Sequence, residues 1–188
     1  LFKNEFTCFI VLSIFPQFKY YHRLNILHKI SNHILIRVDT TLFLSILLVD
    51  NSDNSAFFLY KYNLSNKIKK RILFVQENLR KKNFRDLFDE KNLLKIAYLN
   101  GVQATIDLLI FSIFVEHDVD LNLVEKKINF LENSEIPTFP IKTDYLKLQY
   151  GFSESKELGD ALKKLKEFWM DHNFKIDKKE IEKILKLK

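Results

Sequence analysis

Two aspartates, Asp118 and Asp120, have the spacing of carboxylates that hold catalytic metal ions, and Glu116 and His117 precede them. Such a set can bind divalent metals for phosphoryl or nucleotidyl transfer. The pair lies between two helical patterns, with no glycine turn and no strand pattern ahead of it. The histidines upstream stand in no recognisable ligand frame. We therefore interpret these residues as a solvated loop and helix cap, and we predict no catalytic residue and no metal site in this chain.

Motifs for other kinds of active site are missing from the sequence. It contains no P-loop, no dinucleotide-binding fingerprint, no cysteine pair for zinc and no serine-centred nucleophile elbow. The single cysteine, Cys8, lies in an apolar run, and we interpret it as a small buried hydrophobe. One cysteine cannot form an internal disulfide, which fits a protein of the reducing cytoplasm.

Positive charge is the strongest hint of a partner. Lys and Arg number 30 against 24 Asp and Glu, for a net charge of +6. This balance favours an anionic ligand such as RNA. Lys, Asn, Ile and Phe are all plentiful, however, which is typical of an AT-rich genome, and a protein with no anionic ligand can also carry excess lysine.

The elements that must position these cations are predicted to be helices. A hydrophobic fraction of 47% can form a core, and only 3 Gly and 3 Pro in 188 residues leave few tight turns. Apolar spacing predicts about eight helices and no sheet, so we expect an all-α protein. No stretch reaches the roughly 18 apolar residues of a membrane span, and we expect no membrane partner. The apolar run 6–15 lacks a signal-peptide cleavage site and is predicted to be a buried helix.

A helix with a basic side is predicted after Ser65, which has the residue type of an N-cap. Its buried stripe is predicted to consist of Ile68, Ile72, Val75 and Leu79. Lys67, Lys69, Lys70 and Arg71 are then expected to face outward or sideways. A second basic helix is predicted near the end of the chain. Its apolar face holds Leu158, Ala161 or Leu162, Leu165, and Phe168 or Trp169.

Two prolines within residues 134–140 mark the best domain boundary, because proline forces extended backbone and lacks an amide donor. We predict a helical body over residues 1–135 and a small helical tail with helix-turn-helix character over 136–188. In the tail, the turn from Gly151 to Gly159 offers backbone amides followed by a helix N-terminus, which are candidates for holding a phosphate. The alternative is a plain capped helix-turn-helix.

The tail carries a series of residues in a recognisable order: Phe139-Pro140, Tyr150-Gly151-Phe152-Ser153-Glu154-Ser155, Leu158-Gly159 and Trp169. This order resembles the C-terminal region of bacterial class II CCA-adding tRNA nucleotidyltransferases, in the poly(A) polymerase superfamily. Ser153 and Glu154 replace prolines of the family pattern, and Ser155 replaces a glycine. A weaker similarity extends upstream, at Phe15-Pro16 and at residues 44–48, 64–67, 100–104 and 107–109.

The resemblance implies that the chain is the tRNA-holding body and tail of such an enzyme. The head's motif, a Gly-Ser turn followed closely by Asp-x-Asp, is absent because the sequence has no Gly-Ser pair, and the neck's Glu-Asp-x-x-Arg motif is absent as well. Magnesium and CTP or ATP would belong to a missing head, so we expect no cofactor here and no activity of this chain alone. The sequence opens on Leu1 without a Met, and we expect a larger parent: a fragment, half of a split enzyme, or the relic of a decayed gene.

The expected partner is tRNA, and the parent activity is CCA or poly(A) addition. The candidate RNA-binding residues are Lys67, Lys70, Arg71, Gly151, Ser155, Lys156, Lys163 and Lys164. An apolar helix with Phe6, Phe9, Ile10 and Ile14 stands where a neck would join, and we expect it to dock on a separately encoded head and neck or to mediate self-association. The alternative function is a helical protein-interaction module, or a decayed fragment with no RNA role.

Overall fold

A computed structural model describes residues 4–80, 88–116 and 118–185 of the chain. Within those ranges every regular element is a helix and no strand occurs, which confirms the all-α prediction. The elements are α1 (Glu5–Ile14), a 3₁₀ helix (Tyr21–Lys29), α2 (Asn32–Leu35), α3 (Thr40–Leu48), α4 (Asn54–Lys61), α5 (Asn66–Leu79), α6 (Glu90–Asn100), α7 (Val102–Val115), α8 (Leu121–Asn133), α9 (Thr143–Tyr150), α10 (Lys156–Asp171) and α11 (Lys178–Ile184). None of the described helices is long and apolar enough to cross a membrane.

The chain divides into two compact units, Leu1–Ser134 (unit 1) and Glu135–Lys188 (unit 2). Helix α7 is the centre of unit 1. It contacts α3, α5, α6, α8 and the 3₁₀ helix, and its residues from Leu108 to Phe111 are fully buried. A helix that is apolar on all sides must be covered on all sides, and this explains why α7 is surrounded by neighbours.

Arg23 joins the 3₁₀ helix to the end of α3. Its Nη1 donates to the carbonyl oxygen of Ile46, in the last turn of α3, at 2.9 Å, and to that of Val49, the C-cap residue, at 2.8 Å. Carbonyls at that end of a helix have no partner within the helix. The guanidinium also stacks on the Tyr20 ring, 4.1 Å from its centroid, and the Tyr20 hydroxyl donates to Asp50 at 2.9 Å. Burial lowers the pKa of Arg23.

Helix α1 is covered by the rest of unit 1 on only one side. Cys8 is buried, as predicted, whereas Phe6, Phe9, Ile10 and Ile14 are 73%, 71%, 41% and 56% exposed. The prediction of a buried helix over residues 6–15 is therefore wrong for this face. The apolar content of the run indicated burial, but nothing in the described chain covers the second side.

Helix α4 lies partly in residues 50–55, which are all polar, a composition typical of a loop. The helix begins inside that segment, at Asn54. The side chains of Asn54 and Ser55 are buried and hydrogen-bonded rather than solvated, since Asn54 donates to two backbone carbonyls and Ser55 bonds to Gln76. Phe58 of α4 and Tyr62, its C-cap residue, pack in a cluster of stacked and tilted rings with Phe15 and Phe18.

Unit 2 is built around α10, which buries Leu158, Ala161 and Leu165. These side chains pack in one core with Ile141, Leu146 and Ile181. Gly151 ends α9 in the left-handed conformation, with φ +70°. Asp177 and Glu180 form a reciprocal capping box at the start of α11. Trp169 is 2% exposed, and its ring meets those of Phe139 and Phe174 edge to face, at centroid distances of 5.4 and 4.9 Å.

Candidate nucleic-acid interface

Helix α5 presents the first group of predicted RNA-binding residues. The Ser65 hydroxyl accepts a bond from the Ile68 amide at 3.4 Å, which confirms the predicted N-cap. Ile72 and Val75 of the predicted stripe are buried. Lys67 and Lys70 are exposed, and neither forms an ion pair with a described residue. Both ammonium groups are therefore available to an anionic ligand.

Arg71 is turned into the protein, unlike its lysine neighbours. Its Nε donates to Asp107 at 2.7 Å, and its Nη1 donates to Asp39 at 2.5 Å. The Asp107 side chain is only 3% exposed, and its other oxygen accepts a bond from Gln103 at 3.0 Å. Asp39 also caps α3 by accepting the Leu42 amide. The guanidinium therefore connects the start of α3 with α5 and α7.

The electrostatics of this group favour the fully charged state. Burial alone would lower the pKa of Arg71, but its bonds to Asp107 and Asp39 outweigh burial and raise it. Burial would likewise raise the pKa of Asp39, but the bonds from Arg71 and from the Leu42 amide lower it. Arg71 therefore binds two carboxylates within the protein and stabilises the position of α5, and its charge is not available to a ligand.

Helix α10 presents the second group. Lys156, Lys163 and Lys164 are exposed and form no ion pair with described residues. Helical spacing places them opposite the buried face of α10. Asp160 and Glu167 share that exposed face and reduce its net positive charge. The surface can attract an anionic polymer, but only weakly.

The turn before α10 holds the last predicted residues, Gly151 and Ser155. Both are exposed. Ser155 is the N-cap residue, yet its side chain makes no capping hydrogen bond, so it does not satisfy the amides of the first turn. Glu154 accepts a bond from Lys147 at 2.5 Å, and this bond lowers the pKa of Glu154. The turn thus combines open amides with a fixed carboxylate that disfavours phosphate.

The predicted residues form two separate groups along the chain. Lys67, Lys70 and Arg71 belong to unit 1, and the residues from Gly151 to Lys164 belong to unit 2. The first group lies on α5 alone, and the second lies on α10 and the turn before it.

Within the acidic cluster near Asp118, Asp120 is a helix cap. Asp120 accepts bonds from the amides of Asn122 and Leu123 at the start of α8, at 2.9 and 3.2 Å, as the interpretation of a helix cap requires. His117 lies outside the described residues. In the part of the chain that is described, no group of three or more His, Cys, Asp or Glu side chains is arranged to hold a metal ion.

Sequence reasoning missed the partners of Arg71, although a signal was available. Asp107 is the only charged residue in the apolar sequence of α7. A carboxylate buried on a central helix requires a cationic or hydrogen-bonding partner. The sequence therefore indicates that Asp107 has such a partner, without showing that the partner is Arg71.

Comparison with known proteins gives no assignment: no family model, no curated protein and no solved structure matches this chain.

We predict that Arg71→Met lowers the free energy of unfolding by about 3 kcal/mol, because it leaves the buried Asp107 carboxylate without its cation. Urea unfolding followed by circular dichroism measures the change. Lys70→Met is the matched control, since Lys70 is exposed, and it should change stability by no more than about 0.5 kcal/mol. Adding Asp107→Leu to Arg71→Met should restore part of the loss. Equal stability of the Arg71 and Lys70 variants would contradict the assigned role.

Proposed function

We propose that this chain is the tRNA-binding body and tail of a CCA-adding tRNA nucleotidyltransferase, in the poly(A) polymerase family, and that it positions tRNA for nucleotide addition by a head that the sequence does not include. The observation that carries the proposal is a set of exposed lysines without ion pairs among described residues: Lys67 and Lys70 on α5, and Lys156, Lys163 and Lys164 on α10. Ammonium groups of this kind contact phosphates without reading sequence.

The order of residues in unit 2 supports the choice of this family. Phe139-Pro140, the turn after Gly151, Leu158-Gly159 and Trp169 follow one another as in the family's tail. Leu158, Gly159 and Trp169 lie on α10, and the turn after Gly151 joins α9 to α10. Arg71, which is bound internally, has no part in the proposed contact with RNA.

We predict weak, sequence-tolerant tRNA binding that falls steeply with salt. If five lysines each neutralise one phosphate, the logarithm of the affinity should fall with the logarithm of salt with a slope of about −4. Lys163→Glu with Lys164→Glu should weaken binding and flatten this slope. Lys175→Glu with Lys179→Glu changes the charge equally at two exposed positions outside the proposed surface and is the control. No binding at low salt, or equal losses in both double variants, would contradict the proposal.

We further predict that the purified chain adds neither CTP nor ATP to tRNA, because the sequence lacks the family's Gly-Ser turn followed closely by metal-holding carboxylates. The assay is extension of a labelled tRNA 3′ end in magnesium, with an intact enzyme as positive control. Magnesium-dependent extension by this chain alone would overturn the assignment of catalysis to a separate head.

A second candidate function, a helical protein-interaction module, is favoured by one observation. Helix α1 leaves the four apolar side chains of Phe6, Phe9, Ile10 and Ile14 exposed on one helix. An apolar patch of this kind marks a site of association. The partner we propose for it is a separately encoded head and neck, with self-association as the alternative.

Light scattering after size exclusion tests this candidate. We predict that the chain, alone or mixed with a head-and-neck fragment of the family, forms a complex that Phe6→Ser with Phe9→Ser disrupts. Tyr60→Ser removes an exposed aromatic from α4 and should leave the complex intact. A chain that stays monomeric in both experiments would argue against the candidate.

A further inference from the structure

A solvent-open cavity of about 490 Å³ lies where α3, α5 and α7 end. Its lining consists of Tyr20, Arg23, the polar segment 50–52, Leu79 and Val115. All of these residues belong to unit 1. The volume is within the range of about 300–1,000 Å³ that is usual for small-molecule sites. The cavity is therefore large enough for a small organic ligand, and one arginine lines it.

The Arg23 guanidinium is fixed by the protein but only partly used by it. Its Nη1 bonds to two carbonyls at the end of α3, and its Cζ lies 4.1 Å from the centroid of the Tyr20 ring and 5.7 Å from that of Phe111. Nε and Nη2 have no hydrogen-bond partner among the described residues. Neither nitrogen is one of the buried polar atoms that lack a partner in the described chain, so both are open to solvent.

The open edge of Arg23 is the edge that binds carboxylates. Nε and Nη2 of a guanidinium donate in parallel and match the two oxygens of one planar anion. Arg37 of this chain binds Glu132 in this way, with Nε 2.9 Å from Oε1 and Nη2 2.9 Å from Oε2. Because burial lowers the pKa of Arg23, an anion at this edge also stabilises the charged guanidinium.

Asp50 limits the charge of the ligand. Its carboxylate accepts bonds from the Tyr20 hydroxyl at 2.9 Å and from the amide and hydroxyl of Ser52 at 2.8 and 2.7 Å. Burial alone would raise the pKa of Asp50, but the bonds from Ser52 and Tyr20 lower it and keep the group ionised. The negative charge of Asp50 disfavours a dianion such as phosphate more than a monoanion. Leu79 and Val115 add apolar surface for an aliphatic chain.

We propose that this cavity binds a small aliphatic monocarboxylate. The two carboxylate oxygens accept hydrogen bonds from Nε and Nη2 of Arg23, and the aliphatic chain packs on Leu79 and Val115. The ligand thereby joins the 3₁₀ helix to the ends of α5 and α7. This site goes beyond the proposed function, because none of its residues is among the lysines proposed to contact tRNA.

Heteronuclear NMR of the full chain tests the proposal at the atom concerned. Isovalerate is titrated while the side-chain Nε–H signal of Arg23 is followed, and isovaleramide is the neutral ligand of nearly the same shape. We expect isovalerate to shift this signal and to saturate in the millimolar range. Isovaleramide should bind at least about tenfold more weakly, because it lacks the charge. Acetate should bind about tenfold more weakly, because it lacks the aliphatic chain.

A matched pair of variants tests the location of the site. Asn51 is exposed and lines the cavity, and Asn51→Asp adds a negative charge there with almost no change in shape. We expect it to weaken isovalerate binding about threefold, the effect of a unit charge at the rim of a solvent-open site. Asn129→Asp makes the same change at an exposed position of α8 outside the cavity and should leave binding unchanged.

Each outcome decides for or against the site. A saturable shift of the Arg23 signal that isovalerate causes, isovaleramide does not, and Asn51→Asp alone weakens would support it. An Arg23 signal that isovalerate leaves unchanged would show that the open edge is only hydrated and would overturn the proposal. Equal binding of isovaleramide, tighter binding of inorganic phosphate, or equal effects of the two variants would overturn it as well. Binding of tRNA is measured separately, so failure here leaves the proposed function standing.

Discussion

The buried carboxylate of Asp107 is the constraint on which the arrangement of unit 1 depends. It lies on the central helix α7, where it is 3% exposed, and a charge in that position needs a cation held close to it. Arg71 supplies the cation and fixes α5 beside α7, while its second carboxylate partner, Asp39, brings in the start of α3. Lys67 and Lys70 of the same helix face solvent, whereas the charge of Arg71 is bound inside the unit.

Turns and helix ends in this chain are stabilised by hydrogen bonds from side chains to backbone, at places where other proteins use glycine or proline. The chain has 3 residues of each, and only Gly101 and Gly151 use a positive φ. Asn63, Asn173 and Phe174 adopt positive φ elsewhere. Arg23 satisfies the end of α3, and Asn54 and Gln76 hold the segment between α3 and α4. Turns made in this way depend on particular polar side chains, so polar residues of this chain are often structural.

Features set by neighbouring residues could be predicted from the sequence, and those set by distant residues could not. The helical class, the Ser65 cap, the Asp120 cap and the burial of Ile72 and Val75 on α5 follow from local spacing and capping chemistry, and the structure confirms them. Ile68 and Leu79 of the predicted stripe are only half-buried. The partners of Arg71 lie 32 and 36 positions away, and no local pattern identifies them. Helix α4 was missed for the same reason, since Asn54 bonds to a carbonyl 37 residues away. Apolar content alone could not show that one face of α1 lacks a covering element.

The location of Trp169 gives the protein a natural optical label. The sequence contains one tryptophan, and it is buried among Phe139 and Phe174 in unit 2. Indole emission excited selectively in this chain therefore originates in that unit alone, whereas the far-ultraviolet signal comes from helices of both. Comparing the two spectra during denaturation distinguishes a protein that melts as one cooperative body from one whose units melt in succession.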